Sequence, residues 1–592
     1  MTEQPVPMHR RARTPNYDRF PTVPVAGTCH TGWERIGRAL RATGARVTVI
    51  ETYPGVRDKE IAALLHALDP DETVDATEAL LAPVQIDRIV APFLGDDPVF
   101  GYLTSLTIED FYDQAALGRL RERVAAAPGS VVVHGPGASL LADGLLVLMD
   151  MPRWESQLRM RRGEFTNLGA ANAGVRWQQQ YKRAYFVDWR VADRHKRALL
   201  ARLDFTVDTT DPEQPRMING EVMRRGLSSI AGRPFRVVPY FDPAPWGGQW
   251  MKTVCDLPDD EPNYGWCFDC VPEENSLLLD LGGARFEMPA ANLVFGEPRA
   301  LLGDAVYGRF GDEFPIRFDF LDTLEGGSLS LQVHPLTEYI QHTFGMPYTQ
   351  DESYYLLDAE PDGGVFLGVR SGVDRAEMLA ALREAEGGGA PFDAERYVNL
   401  FPARKHDHFL IPAGTIHSSR RAMVLEISAT PYIFTFKLWD WDRPGLDGEP
   451  RPVHIDHGER VIQWHRDSAY AREQLVNRIT PLASGDGWRE ERTGLHEAEF
   501  IETRRHWFTG VAPHLSRSGV EVLNLVEGED AIVRSPDDAF EPFEVHYAET
   551  FIVPAAAGPY VIEPGARAAG TECATIKAFV RTHAPAAVPQ DR

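Results

Sequence analysis

The sequence predicts a multidomain protein in which an α/β domain with a parallel sheet precedes an all-β region of barrels or sandwiches carrying a small helical insertion. Three observations support this. The 592 residues exceed one ordinary core and suggest roughly three or four folding units. From Phe20 to Arg233, apolar runs such as "TVPVAG", "ARVTVIETYPG" and "GSVVVHGPG" alternate with helical stretches such as "TGWERIGRALRATG" and "RDKEIAALLHAL", as in a sheet buried on both faces. From Pro234 onward the strands shorten and are punctuated by Gly, Pro and Asp turns, as in "NSLLLDLGGARFEMPAANLVFG" and "HFLIPAGTIHSS".

These textures divide the chain into a tail over 1–19, the α/β domain over 20–233, a first β domain over 234–455 and a second over 456–592. The stretch from "SGVDRAEMLAALREAEGG" to "FDAERYVNLF" has helical periodicity and reads as an insertion between strands of the first β domain. Near the C-terminus, "LNLVEGEDAIVRSPDDAFEPFEVHYAETFIVPAAAGPYVI" repeats the strand and Gly-turn grammar found around Pro412, which predicts a second, related barrel. A hydrophobic content of 43% and a charged content of 25% are those of a globular chain. With 61 basic against 86 acidic residues, net −25, a broad electrostatic grip on nucleic acid or an anionic membrane is disfavoured, leaving small ligands. No apolar run follows the basic start and none is long enough to span a bilayer, so the reading is a cytoplasmic protein. Five cysteines are too sparse for a disulfide framework; the lone CxxC of Cys267 and Cys270 lacks a second pair and reads as packed, reduced thiols.

In "VAGTCHTGWER", Gly27 and Gly32 have the spacing of a phosphate-cradling loop, but Trp33 and Glu34 stand where the phosphate-binding lysine and the magnesium-binding hydroxyl belong. In pattern, "VIETYPGV", "VVVHGPGASLL" and "MDMPRWESQLRMRR" resemble nucleoside and uridine kinases, which implies a degenerate P-loop-kinase-like domain. The run "YKRAYFVDWRVADRHK" gathers Lys182, Arg183, Arg190, Arg194 and Lys196, and reads either as a solvated helix face with packed aromatics or as a surface for an anion or a partner.

The strand "LSLQVHP" points Gln332 and His334 to one face. Glu352 in "TQDESYYLLDAEPDGGVFLGVR" and His417 beyond the Pro-Ala-Gly-Thr turn of "IPAGTIH" complete a set of amide oxygen, carboxylate and two imidazoles. Such a set suits Zn²⁺ or a similar divalent ion with positions open to substrate.

With "VLEI" and "LWDWDR", these motifs resemble class I mannose-6-phosphate isomerases, a zinc-dependent cupin family, and the looser likeness runs from "PYFDPAPWGGQW" to the C-terminus. The resemblance implies cupin jelly-roll barrels, a single metal held by Gln332, His334, Glu352 and His417, and aldose–ketose interconversion through a cis-enediol on a sugar or sugar phosphate. It further implies proton transfer by Glu426, a cationic role for Lys437 where the family carries arginine, and a substrate pocket that includes Ser330 and Trp246. Two family lysines are replaced, by Asp319 in "FDFLD" and by Gln350, and Arg370 is the cation expected to compensate.

The leading expectation is therefore a metal-dependent sugar isomerase behind an inactive kinase-like domain. The alternatives are a metal-containing sugar sensor and a bifunctional sugar kinase–isomerase; oligomeric state is left open. Because Trp33 and Glu34 remove the phosphate-binding cation and the magnesium hydroxyl, no magnesium-dependent ATP turnover is expected with common sugars or nucleosides. Coupled ADP-release assays check this, and turnover abolished by changes between Gly27 and Gly32 would establish the kinase reading instead.

Overall fold

A computed structural model describes residues 14–429, 433–494, 499–514 and 519–582. Most of the tail expected over 1–19 lies outside these residues. Its last part is docked: Asn16 donates to the Glu529 carbonyl, Tyr17 donates to the Asp269 carboxylate, and the Asp18 amide donates to Glu549.

The N-terminal half holds a seven-stranded sheet. Its order is His30–Thr31, Arg216–Asn219, Phe205–Asp208, Leu145–Asp150, Val47–Thr52, Val131–Gly135 and Glu72–Asp75, with parallel pairing from Phe205–Asp208 to Glu72–Asp75. Period-two alternation sends Val49, Val133 and Leu148 into one core and Ile50, Val132 and Val147 into another, beneath helices such as Trp33–Arg41 and Asp58–Leu68. Between the C-terminal ends of the strands, the molecule's own helix Trp189–Leu199 sends in Lys196, whose ammonium lies 3.2 Å from both Asp150 carboxylate oxygens. A ligand of a doubly wound sheet would enter at this place.

The expected phosphate loop does not follow a strand of this sheet. Thr22–Pro24 instead runs parallel to Ser276–Asp280, in a three-stranded sheet completed by Arg285–Pro289. This sheet crosses the boundary expected at residue 233. Both glycines have local explanations: a Cβ on Gly27 would stand 2.7 Å from Val222, and Gly32 has φ +87° immediately before its helix. The P-loop reading is thus not supported by the topology. The basic run also differs from a solvated face, because its side chains turn inward. Arg194 donates to the carbonyls of Thr104 and Leu106, and Arg183 donates to that of Leu168.

The middle of the chain forms a nine-stranded sheet whose main path is Val398–Pro402, Glu352–Val369, His417–Ala429, Ile316–Asp322, Trp266–Cys270 and Tyr240–Asp242. Leu331–Val333 pairs with both His417–Ala429 and Phe436–Trp439, and His408–Ile411 pairs with Glu352–Val369. Arg375–Glu386 is the expected helical insertion, begun by Asp374, whose side chain accepts from the Glu377 amide. The C-terminal part stacks a six-stranded and a four-stranded sheet around Leu523, Val533, Phe551 and Ile562. Among the described residues the strand orders remain open, so the barrels expected from sequence stand as packed sheets. No described helix is long and apolar enough to cross a membrane.

The α/β unit is fastened to the large sheet by buried charge. Arg153, 3% exposed, lies 2.6 Å from Asp193 in its own unit and 3.2 and 3.7 Å from Glu273 and Glu274 across the junction. Gln157 donates to Glu274, and Arg161 grips Asp242 with two 2.9 Å bonds. Removing one partner of such a buried group strands the others, so Arg153→Met is expected to cost about 3–5 kcal/mol in urea unfolding. Arg123→Met, at the exposed pair with Glu72, should cost less than about 1 kcal/mol.

Candidate metal centre and its cavity

Gln332 lies on Leu331–Val333, directly across from His417 on one side and Lys437 on the other. His334 follows one residue beyond the strand, and Glu352 opens the long strand Glu352–Val369. The turn before His417 is tied to this site through Gly414, whose amide donates to the His334 carbonyl at 2.9 Å and whose φ is +87°. A Cβ there would meet Gln463, Leu336 and the Val461 carbonyl within 2.8 Å, which restricts the position to glycine. The buried Arg466 then holds the turn by donating to the Pro412 and Ala413 carbonyls and to the Thr415 hydroxyl.

The result is a cluster in which His334, Glu352 and His417 each offer a donor atom within 4.8 Å of the others. His334 Nε2 lies 3.0 Å from Glu352 Oε2, and His417 Nε2 lies 2.9 Å from Glu352 Oε1. On the far side of each ring a backbone carbonyl faces Nδ1: Thr415 at 2.9 Å for His417 and Phe434 at 3.4 Å for His334. This arrangement leaves both Nε2 lone pairs directed at the centre. His334 Nε2 and Glu352 Oε1 are buried and, despite their proximity to counter-charges, have no hydrogen-bond partner. Converging nitrogen and oxygen donors without hydrogen-bond geometry fit a divalent cation. Gln332 stands beside them. Its Oε1 accepts from Ser330 Oγ at 2.9 Å while its Nε2 lies 3.1 Å from His417 Nε2, so reversing the amide would present its oxygen to an ion.

Burial alone would raise the Glu352 pKa, but His334 and His417 hold this carboxyl well below the usual range. The neighbouring acids move the other way. Burial, then Glu352 and Asp319, push Glu426 well above an ordinary glutamate. Burial carries Asp319 up to about 7 against the pull of Arg317, which lies 2.9 Å away on the same strand. Gln350 joins the two carboxyl groups, with Nε2 donating to Glu352 Oε2 at 2.9 Å and to Glu426 Oε1 at 3.2 Å. Burial, with Arg451 and Arg443 nearby, lowers Lys437 to about 7.

Ser330, Gln332, Gln350, Glu426 and Lys437 face one cavity of about 1410 Å³, and Trp246 lines the same space. Arg370 does not reach it. This residue is exposed, and its guanidinium caps the Glu395 carbonyl at 2.7 Å. The cation that the structure sets beside Asp319 is Arg317, which sequence reasoning missed although the two occupy alternate positions of one strand and therefore share a face. Arg466 and the bridging role of Gln350 were also missed, since both depend on contacts between distant segments. Cys267 and Cys270 are buried, unpaired to each other and raised in pKa by burial, as packed thiols are.

Residues 32–232 match a family model described as a domain of unknown function, DUF8485. Mannose-6-phosphate isomerase ManA of Bacillus subtilis (strain 168) is 22% identical over 305 residues, covering 51% of this chain and 87% of that protein. The mannose-6-phosphate isomerase of Streptococcus mutans serotype c is 24% identical over 220 residues, covering 37% of this chain and 64% of its own length. A crystal structure of the mannose 6-phosphate isomerase from Bacillus subtilis aligns with TM-score 0.47 and 18% identity, over 59% of this chain and 100% of that one. Both of these curated relatives are described as mannose-6-phosphate isomerases.

Removing either imidazole takes a donor from the cluster. His334→Ala and His417→Ala are therefore expected to lose bound divalent metal, expected as one Zn²⁺ or similar ion per chain, as read by elemental analysis of the purified protein. Stoichiometric metal in both variants would remove this site from consideration.

Proposed function

We propose that the chain is a metal-dependent aldose–ketose isomerase of the mannose-6-phosphate isomerase type, interconverting mannose 6-phosphate and fructose 6-phosphate or a related sugar pair. The observation that carries this reading is the pairing of a metal-competent cluster with a second, protonatable carboxyl: Gln350 hydrogen-bonds both Glu352 and Glu426, and Gln350 and Glu426 face one cavity. The shared description of the curated relatives supports it.

His334, Glu352 and His417, with Gln332 after reversal of its amide, would hold the ion. Once bound, a divalent cation supplies Lewis-acid polarisation of a sugar carbonyl, which lowers the cost of removing a carbon-bound proton. Glu426 is the proposed base, taking the proton from one of the first two sugar carbons and returning it to the other. Its raised pKa makes the ionised carboxylate a stronger base than an exposed glutamate. Gln350 matters here through its neutrality, because a lysine between the two carboxylates would stabilise their charge and weaken the base. Lys437, lowered to about 7, can hold or release a proton near neutral pH over the same cavity, and its proposed role is proton exchange with a substrate oxygen. Ser330 and Trp246 are the proposed substrate contacts. A sugar sensor without turnover is the second reading, favoured by Asp319 and Gln350 standing where the resemblance implies lysines.

Glu426→Gln nearly preserves shape and removes the base. The variant is expected to keep its metal and to lose on the order of 10²-fold or more in isomerisation rate, followed directly by interconversion of mannose 6-phosphate, fructose 6-phosphate and free sugars. Unchanged turnover in that variant would overturn the assignment of Glu426. Absence of turnover in the metal-loaded wild type on every sugar would leave the sensor reading.

A further inference from the structure

The cavity is larger than one sugar needs. At about 1410 Å³ it exceeds the ~300–1,000 Å³ common for small-molecule sites, so a hexose at the metal cluster leaves much of it open. Aromatic rings build a continuous platform toward the junction with the N-terminal unit. Centroids step from Trp246 to Trp266 in 6.4 Å, to Phe268 in 5.3 Å, to Tyr240 in 6.3 Å, and on to Trp154 of the N-terminal unit in 5.8 Å. The first four of these residues line the cavity, and the N-terminal unit adds Trp177 and Tyr181 to its wall. Trp246 itself is 4% exposed, and its indole Nε1, like that of Trp266, is buried within the wall. A cavity wall of aromatic rings suits a pyranose, whose C–H face stacks against them.

The charges around this space point away from a phosphate. Most of the cations already have acidic partners. Arg161 is held twice by Asp242, Arg176 lies 3.4 Å from Asp447, Arg317 lies 2.9 Å from Asp319, and Arg443 and Arg451 share Asp440. A phosphate dianion would have to compete with these carboxylates, whereas an uncharged polyhydroxyl unit leaves every pair intact.

We infer that the cavity takes a reducing aldose bearing a further uncharged glycosyl unit. The reducing sugar sits at the metal cluster, and the second unit lies against Tyr240, Phe268 and Trp266, with Trp177 of the N-terminal unit closing over it. The direction of the chain rests on the isomerase reading; the existence of the second sugar site does not.

The test is calorimetric binding to the metal-loaded full chain carrying Glu426→Gln, which avoids turnover. The probes are mannose, glucose, β-1,4-mannobiose, cellobiose, maltose and mannose 6-phosphate. At least one disaccharide is expected to bind ten-fold or more tightly than its monosaccharide, and more tightly than mannose 6-phosphate. Adding Trp177→Ala, or the milder Trp266→Phe should the first fail to fold, is expected to reduce that gain to three-fold or less with monosaccharide binding unchanged. No gain for any disaccharide, tightest binding of mannose 6-phosphate, or retention of the gain in the folded aromatic variants would each overturn the inference. Wild-type turnover separates the two readings. A disaccharide that binds with the expected gain and is never isomerised defeats the isomerase reading alone, while isomerised mannose 6-phosphate without any disaccharide gain defeats this inference alone.

Discussion

The buried carboxylate of Glu352 is the constraint from which the centre is built. A charge 1% exposed at the start of a strand is costly unless opposite charge or donors surround it, and here two imidazoles from separate segments and the amide of Gln350, two residues before it, do so. Satisfying that one group requires the short strand Leu331–Val333 to lie beside His417, and the Gly414 turn to bond back to His334. Arg466 then has to pin the turn from behind. The strand pairing, the obligatory glycine and the buried arginine are best understood as supports for the placement of three donor atoms.

Around this centre the chain replaces positive charge with pairing. Asp319 is directly across from Glu426 on the neighbouring strand, so two acids share one face and Asp319 opposes ionisation of Glu426. Arg317 compensates Asp319, and Gln350 supplies a hydrogen bond to Glu426 without a charge. The environment therefore raises the proton affinity of Glu426, so that its carboxylate, once ionised, is a stronger base than an exposed glutamate.

Much of this centre could be read from local sequence because strand alternation and the Pro-Ala-Gly-Thr turn are short-range signals. "LSLQVHP" placed Gln332 and His334 together, and the turn announced His417. What escaped notice was register. That Asp319 faces Glu426, that Gln350 spans two carboxyl groups, and that Arg370 ends on the Glu395 carbonyl are facts about segments far apart in the chain. Sheet membership failed for the same reason: an apolar run such as "TVPVAG" looks alike whether its partner lies in the expected sheet or at Ser276–Asp280. Helix-face charge in the basic run cannot reveal that the carbonyls of Thr104 and Leu106, some ninety residues earlier, accept from Arg194. The cavity wall contributed by the N-terminal unit was beyond reach because it exists only after the two halves dock.

The strand Thr22–Pro24 has a temporal consequence. It is synthesised long before its partner at Ser276–Asp280, and the residues just before it bond to Asp269 and to the backbone and side chains around Glu529 and Glu549. At ribosomal speeds of about 5–20 residues per second, this segment must wait on the order of tens of seconds before those partners emerge. The seven-stranded sheet, whose strands end at Arg216–Asn219, can be complete long before then. This segment thus acts as a late fastener in two stages: Thr22–Pro24 stays unpaired until Ser276–Asp280 emerges, leaving an apolar strand for chaperones to meet, and the residues before it stay unbonded until Glu529 and Glu549 follow.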